Sequence, residues 1–245
     1  MVVTKPSCVL TTPIFDTQAT ELRRYIAGLS TDALQKMMHI SAPLAKEVGV
    51  MYTANETPSA AIESFRGDIF SGARALEWTP EMKEFAQQHL RLLSGLYGVL
   101  KPYDAVQPYR LEAAYKLPDE AYRNLYTYWG DTIAKSIDGD EVLDLTSKEY
   151  SKLVAPRVRN KTIVAPIFLS RPSKGAEPVF VAVHAKIARG AFARWVIARG
   201  KDTLQGIESF DDLGYQYDSS RSQPGAPVYI CDDFKGLGLS QRKKV

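Results

Sequence analysis

The strongest constraint on the fold is a change of hydrophobic period part-way along the chain. Up to about residue 93, apolar residues recur at helical spacing between capping signals. A helix is predicted over 17–28, with Leu22, Tyr25, Ile26 and Leu29 on one stripe. Ser30 and Thr31 stand ready to cap a second over 32–39. Ser41 and Pro43 lead into a third, to about Tyr52. Thr57-Pro58-Ser59 opens a fourth through Ala61, Ile62 and Phe65, stopping near Gly67. Thr79-Pro80-Glu81-Met82 pairs a capping hydroxyl with a first-turn proline and predicts a helix to Leu93. Further on, the β-branched runs 141–145, 161–169 and 178–183 read as strands, 186–199 as a helix and 228–231 as a last strand. The pattern predicts a mixed α+β protein of the broad α/β class, without the alternation of a doubly wound sheet. No composition break marks a linker, so one domain over 1–245 is expected, with residues 240–245 as a frayed basic tail.

Charge is unevenly distributed. The 245 residues carry a formal net charge of +3. Residues 151–201 hold eleven basic side chains against the single acid Glu177, a surplus of ten; the remainder holds twenty bases against twenty-seven acids. A positive field confined to one segment suggests a polyanionic partner, nucleic acid before membrane. A basic face balanced by acids brought near in the fold is the other reading.

The two cysteines, Cys8 and Cys231, allow one disulfide but no framework. His39, His89 and His184 are scattered away from them, so neither a metal site nor a cofactor is expected. No apolar run approaches the ~20 residues of a membrane span. The opening residues lack the apolar core of a signal peptide, so a cytoplasmic location is expected.

The densest stretch is 89–102, where a helical pattern runs into Gly95 and Gly98. Two glycines three apart permit a tight turn with bare amides, and such amides can hold a phosphate. That is the logic of a helix-hairpin-helix; an ordinary helix cap and turn has the same spacing. Next come Tyr103, Asp104, Tyr109, Arg110 and Glu112. Asp104 and Glu112 could serve as acid and base and Arg110 as an anion clamp, or Arg110 could pair with either acid. Trp129, after Tyr126 and Tyr128, reads as core packing or as a base-stacking platform. Thr146, Ser147 and Glu149 follow a strand, as site residues or as a helix cap. Lys186 and Arg189 lie one turn apart beside Gly190, a phosphate contact or a solvated face.

These residues resemble the YaaA family of bacterial peroxide-stress proteins from about Pro13 to Tyr217. The most specific part is 89–102 with 107–112. Phe65-Arg66-Gly67-Asp68, Leu125-Tyr126 with Trp129-Gly130, Ser147-Lys148-Glu149-Tyr150 and Lys186-Ile187-Ala188-Arg189-Gly190 match further family elements. The chain departs from the family at three places. Val3-Thr4-Lys5-Pro6-Ser7 stands near the usual Ser-Pro-Ala-Lys, Ala113-Ala114 replaces Met-Gly, and Asp144-Leu145-Thr146 replaces Asn-Leu-Ala.

The resemblance implies a cytosolic protein that limits oxidative DNA damage and unincorporated iron under hydrogen peroxide. It implies a fold with a positively charged cleft, a helix-hairpin-helix-like element and binding to DNA. Ser94, Gly95, Tyr97, Gly98, Lys101, Arg110, Lys186, Arg189 and Arg194 are then the candidates for contact with double-stranded DNA, gripping phosphates without sequence readout. The alternative is an enzyme that uses the same cleft on a small anionic or nucleotide-like substrate. Arg110, Glu112, Glu149 and Lys186 are its candidate catalytic residues, and a lyase with Lys101 as nucleophile is a variant.

Overall fold

The computed structural model describes residues 1–235, so the tail expected to fray at 240–245 lies outside the described residues. In chain order the helices are α1 (Asp16–Ala27), α2 (Thr31–Met38), α3 (Ala42–Thr53), α4 (Ala61–Ser64), α5 (Asp68–Ala73), α6 (Pro80–His89), α7 (Leu125–Trp129), α8 (Thr132–Lys135), α9 (Lys148–Val154) and α10 (Ala182–Ala198). The strands are β1 (Ser59–Ala60), β2 (Leu92–Ser94), β3 (Gly98–Leu100), β4 (Ala105–Val106), β5 (Glu141–Leu143), β6 (Thr162–Val164), β7 (Ile167–Ser170), β8 (Tyr215–Tyr217) and β9 (Val228–Cys231). The protein is mixed α/β with small sheets. Three are two-stranded pairs, and one is three-stranded in the order β7-β9-β8.

The chain gathers into two interleaved units. The first comprises Met1–Phe65, Ala86–Asp138 and Thr146–Arg159; the second comprises Arg66–Phe85, Gly139–Leu145 and the chain from Asn160.

In the first unit α1, α2 and α3 pack through Leu22, Ile26, Leu34, Met37, Val48 and Tyr52, all buried. Ser30 caps α2 as predicted, its Oγ accepting the Ala33 N–H at 3.2 Å. Two expected helices are shorter than their apolar pattern. Within 57–67 only α4 is helical, because Ser59–Ala60 pair antiparallel with Ala105–Val106. The helix from Pro80 ends at His89, four residues early.

That early stop corrects the helix-hairpin-helix expectation. Residues 92–100 form a β-hairpin, with Leu92 opposite Leu100, Leu93 opposite Val99 and Ser94 opposite Gly98. The antiparallel ladder satisfies the backbone groups that a longer helix would have used. Gly98 supplies the φ of +68° that the turn requires.

The second unit is built around α10 and the sheet of β7, β9 and β8. Phe168, Phe192, Phe210, Tyr215 and Tyr229 are buried together; Phe168 stacks on Tyr229 at 5.5 Å and meets Tyr215 edge-on at 5.3 Å. The predicted strand 228–231 is β9. The run 161–169 splits into β6 and β7, and β6 pairs in parallel with β5. The run 178–183 is not a strand: Val179 makes one bridge to Ser170, and α10 begins at Ala182. Helices α5 and α10 cross at Gly72 and Gly190. A Cβ built on Gly190 would lie 1.8 Å from the Ile69 carbonyl oxygen, and one on Gly72 2.0 Å from that of Ile187.

Candidate functional site

The sequence candidates fall into two sets, one in each unit. In the first unit the Gly95–Gly98 turn is closed by packing. Residues 94–100 are all buried. Ser94, 1% exposed, accepts the Tyr97 N–H at 2.9 Å and shares a hydrogen bond with the Tyr109 hydroxyl at 2.7 Å. The Trp129 Nε1–H donates to the Gly95 carbonyl at 3.0 Å. The two glycines exist for close approach: a Cβ on Gly95 would meet the Leu111 carbonyl at 2.3 Å, and one on Gly98 the Trp129 ring at 2.9 Å. The turn is thus buried, with the Tyr97 N–H held by Ser94, and Trp129 is core rather than a stacking platform.

Asp104 is a structural acid. It is 2% exposed and accepts the Thr11 hydroxyl at 2.6 Å and the Lys101 N–H at 2.7 Å. Burial pushes its carboxyl above the ordinary value, against those two hydrogen bonds. The Lys101 side chain is exposed. Arg110 is also exposed and makes no ion pair with Asp104 or Glu112 among the described residues; its carbonyl accepts the Tyr52 hydroxyl at 2.9 Å.

Glu112 and Glu149 do come to one place. Helix α9 carries Glu149 and Tyr150 in its first turn. The Tyr150 hydroxyl donates to Glu112 Oε2 at 2.7 Å, and Glu149 Oε1 accepts the Ala114 N–H at 2.9 Å. Burial, and then the Glu112 carboxylate, push the Tyr150 hydroxyl far above its ordinary 10.0; Tyr109 and Glu149 act on it in the same direction. Burial likewise raises Tyr109 and Tyr52. Tyr150 was not singled out from the sequence, although it stands in the same short motif as Glu149.

A tyrosine whose folded pKa lies above its unfolded value contributes its full stability below pH ~10 and loses it as pH rises further. Tyr52, Tyr109 and Tyr150 are therefore expected to ionise only as the fold opens. Alkaline titration should show tyrosinate absorbance rising in two stages, the later one coinciding with loss of far-ultraviolet circular dichroism. Complete ionisation before any loss of helix would contradict the burial described here.

In the second unit the basic segment is partly neutralised. Arg171 pairs with Asp232 at 2.9 Å, and Arg194 pairs with Asp212. In the first unit Arg157 lies 3.6 Å from Asp131. Arg199 and Lys201 lie over the Trp195 ring, at 4.3 and 5.8 Å from its centroid. The charge of Arg194 is thus engaged inside the fold. Lys186 is exposed on α10. Arg189 is half-buried, and burial lowers its pKa against the attraction of Asp144, which follows β5. Gly190 faces α5, so its lack of a side chain serves helix packing rather than the approach of a phosphate.

Another polar group escaped the sequence reading. Ser170 Oγ lies 3.0 Å from His184 Nδ1 and 3.3 Å from the Tyr215 hydroxyl, and the imidazole stacks on Phe234 at 3.9 Å. Burial lowers the His184 pKa. Ser170 ends a strand and His184 begins a helix fourteen positions on, so no local spacing announces the pair. Among the described residues no three of His, Cys, Asp and Glu converge on a metal position, and both cysteines are free thiols. No helix among them is long and apolar enough to cross a membrane.

The fold is that of a mixed α/β protein, with Lys186 and Arg189 on α10 of the second unit and a tyrosine–carboxylate array in the first. The family model described as "Peroxide stress protein YaaA" matches residues 2–221, and the chain belongs to that family. It is 43% identical over 239 residues to a UPF0246 protein of Salinispora tropica, covering 96% of this chain and 91% of the relative. It is 36% identical over 234 residues to UPF0246 protein SPO0106 of Ruegeria pomeroyi, covering 90% of each. A UPF0246 protein of Shewanella amazonensis is 35% identical over 242 residues, with 93% of each covered.

Proposed function

We propose that this protein serves the peroxide-stress response in the cytoplasm by binding double-stranded DNA through its phosphates, with Lys186 and Arg189 as the principal contacts. The observation that supports this is the state of Arg189. It is half-buried and makes no hydrogen bond or ion pair within 4.0 Å among the described residues, unlike Arg157, Arg171 and Arg194. Asp144 attracts this partly desolvated guanidinium but makes no ion pair with it within 4.0 Å, and phosphate oxygens would satisfy its fork. Lys186, one turn away and exposed, adds a second cation to the same approach. On this reading the two residues stand on the wall of the basic cleft that the family resemblance implies. The exposed Lys101 and Arg110 of the first unit are further candidate contacts. The buried amides of 94–98 take no part.

Binding of this kind is insensitive to sequence and sensitive to salt. Anisotropy titrations with two duplexes of unrelated sequence, between about 50 and 200 mM salt, should give similar affinities that fall steeply with salt. The double substitution K186A/R189A should weaken both duplexes alike and flatten the salt slope by about two. R194A, whose charge is held by Asp212, should leave the slope unchanged. Failure to bind either duplex at low salt rejects the reading; an unaltered slope in K186A/R189A removes these residues from it.

The contact between Tyr150 and Glu112 favours one second reading, an enzyme. There Glu112 and Tyr150 would move a proton on a small anionic substrate attracted by Arg110, with Glu149 beside them. Survival of a peroxide-sensitive host separates the readings: loss of protection in Y150F with duplex binding intact supports the enzyme, and loss in K186A/R189A alone supports DNA binding.

A further inference from the structure

Four aromatic rings of the first unit form an unbroken row. Trp129, 1% exposed, meets Tyr128 edge-on at 5.1 Å between ring centroids. Tyr128 meets Tyr122 at 5.6 Å, and Tyr122 lies against Tyr25 at 4.5 Å. The row runs from a buried indole to the partly exposed rings of Tyr122 and Tyr25, with the exposed Glu21 beside Tyr122. We propose that this row conducts oxidising equivalents: a one-electron hole formed on Trp129 passes by way of Tyr128 to Tyr122, where Glu21 takes up the phenolic proton. The activity uses neither the DNA contacts nor the Glu112–Tyr150 pair, and it goes beyond the function proposed above.

The chemistry of the rings sets the route. Indole and phenol give up one electron far more readily than an unsubstituted benzene ring. Phe15, at 5.7 Å from Trp129, is therefore no outlet, and Tyr128 is the one phenol in ring contact with Trp129 among the described residues. The hydrogen bonds set the end point. An oxidised phenol is a strong acid, so a tyrosine holds the hole only where a base removes its proton. The Trp129 Nε1–H donates to the Gly95 carbonyl at 3.0 Å, and the Tyr128 hydroxyl donates to the Gln18 carbonyl at 3.2 Å. A backbone carbonyl accepts a hydrogen bond but is too weak a base to take either proton. The Tyr25 hydroxyl accepts the Asp119 N–H at 2.9 Å. Tyr122 differs, because its hydroxyl donates to Glu21 Oε1 at 2.8 Å. It is the one phenol of the row that donates to a carboxylate among the described residues. That hydrogen bond also raises the Tyr122 pKa, so the resting phenol keeps its proton until the electron leaves.

In the balanced step an oxidising radical removes one electron from Trp129 and is itself reduced. Tyr122 then supplies one electron to the indole across the Tyr128 ring and one proton to Glu21. The indole ends as it began, and the products are a neutral Tyr122 phenoxyl radical and a protonated Glu21 carboxyl. A soluble thiol or ascorbate, giving one hydrogen atom at the exposed end, restores Tyr122, and Glu21 releases its proton to solvent. The hole is thereby moved from the core to a place where small reductants reach it.

The test is ultraviolet laser photoionisation of the full chain, with the ejected electrons scavenged, followed by transient absorption. Part of the tryptophanyl absorption should decay as tyrosyl absorption grows, at a rate independent of protein concentration. Trp78 and Trp195 are oxidised by the same flash, so W129F measures their share; in W129F, and equally in Y122F, the growth should be lost. E21Q should slow it by about a hundredfold, the effect of removing a positioned base. Y128L, which keeps apolar bulk without the ring, should slow it as well. Circular dichroism establishes that each variant is folded, and Y122F and E21Q alter side chains at the solvent-facing end of the row. Absence of tyrosyl growth in the unaltered protein overturns the proposal. So does growth that persists in W129F or Y122F, or an unchanged rate in E21Q.

Discussion

Gly190→Ala is expected to destabilise the protein by about 2–3 kcal/mol or more, or to prevent folding of the second unit. Helix propensity alone predicts the opposite sign, because alanine in a helix interior is favoured over glycine by about 0.8–1.0 kcal/mol. The tertiary contact decides. The new Cβ would lie 1.8 Å from the Ile69 carbonyl oxygen and 2.7 Å from the Ala73 nitrogen, both backbone atoms of α5 that cannot rotate away. Relief requires moving α5 off α10, and α10 carries Phe192 and Trp195 into the aromatic core. Gly72→Ala meets the same obstacle from the other side, 2.0 Å from the Ile187 carbonyl. Urea denaturation measures both. A midpoint equal to or above that of the unaltered protein would refute the backbone-to-backbone crossing.

Trp129→Ala is expected to cost about 3–5 kcal/mol. The ring is 1% exposed, lies tilted against Phe15 at 5.7 Å and meets Tyr128 edge-on at 5.1 Å. It fills the space opposite Gly98, and its Nε1–H satisfies the buried Gly95 carbonyl. Alanine would leave a cavity beneath the hairpin and an unpartnered carbonyl inside it. Trp129→Phe keeps most of the volume, loses only the hydrogen bond and should cost less than half as much. Denaturation midpoints for the two variants, with near-ultraviolet circular dichroism for the tyrosines packed nearby, check the order. Equal and small effects would show that Trp129 does not close the turn.

Several elements were legible because their signals are local. The Ser30 cap, the start of α6 at Thr79-Pro80 and the strands at 141–143 and 228–231 depend on residues within one or two turns. The hairpin at 92–100 was misread for the opposite reason. Its apolar run suits helix and strand equally, and the choice was made by Trp129 and Leu111, distant in sequence, which press on Gly98 and Gly95. The candidate residues divide in the same way. Glu112 and Glu149 were recognised by chemical type, and Tyr150 became visible only when α9 turned its hydroxyl toward Glu112. Arg194 and Arg189 are alike as letters, but Asp212 forms an ion pair with one, while Asp144 attracts the other without an ion pair within 4.0 Å among the described residues.

The amino-acid sequence by itself determined the α/β class, the family and the surplus of cations between residues 151 and 201. Those properties rest on short-range patterns and on counting, which need no coordinates. The tertiary structure alone decided which glycines serve packing, which arginines are already paired, and which tyrosines face carboxylates. Those outcomes are set by contacts between segments tens of residues apart, where burial removes the solvent that would otherwise make each side chain independent of the rest.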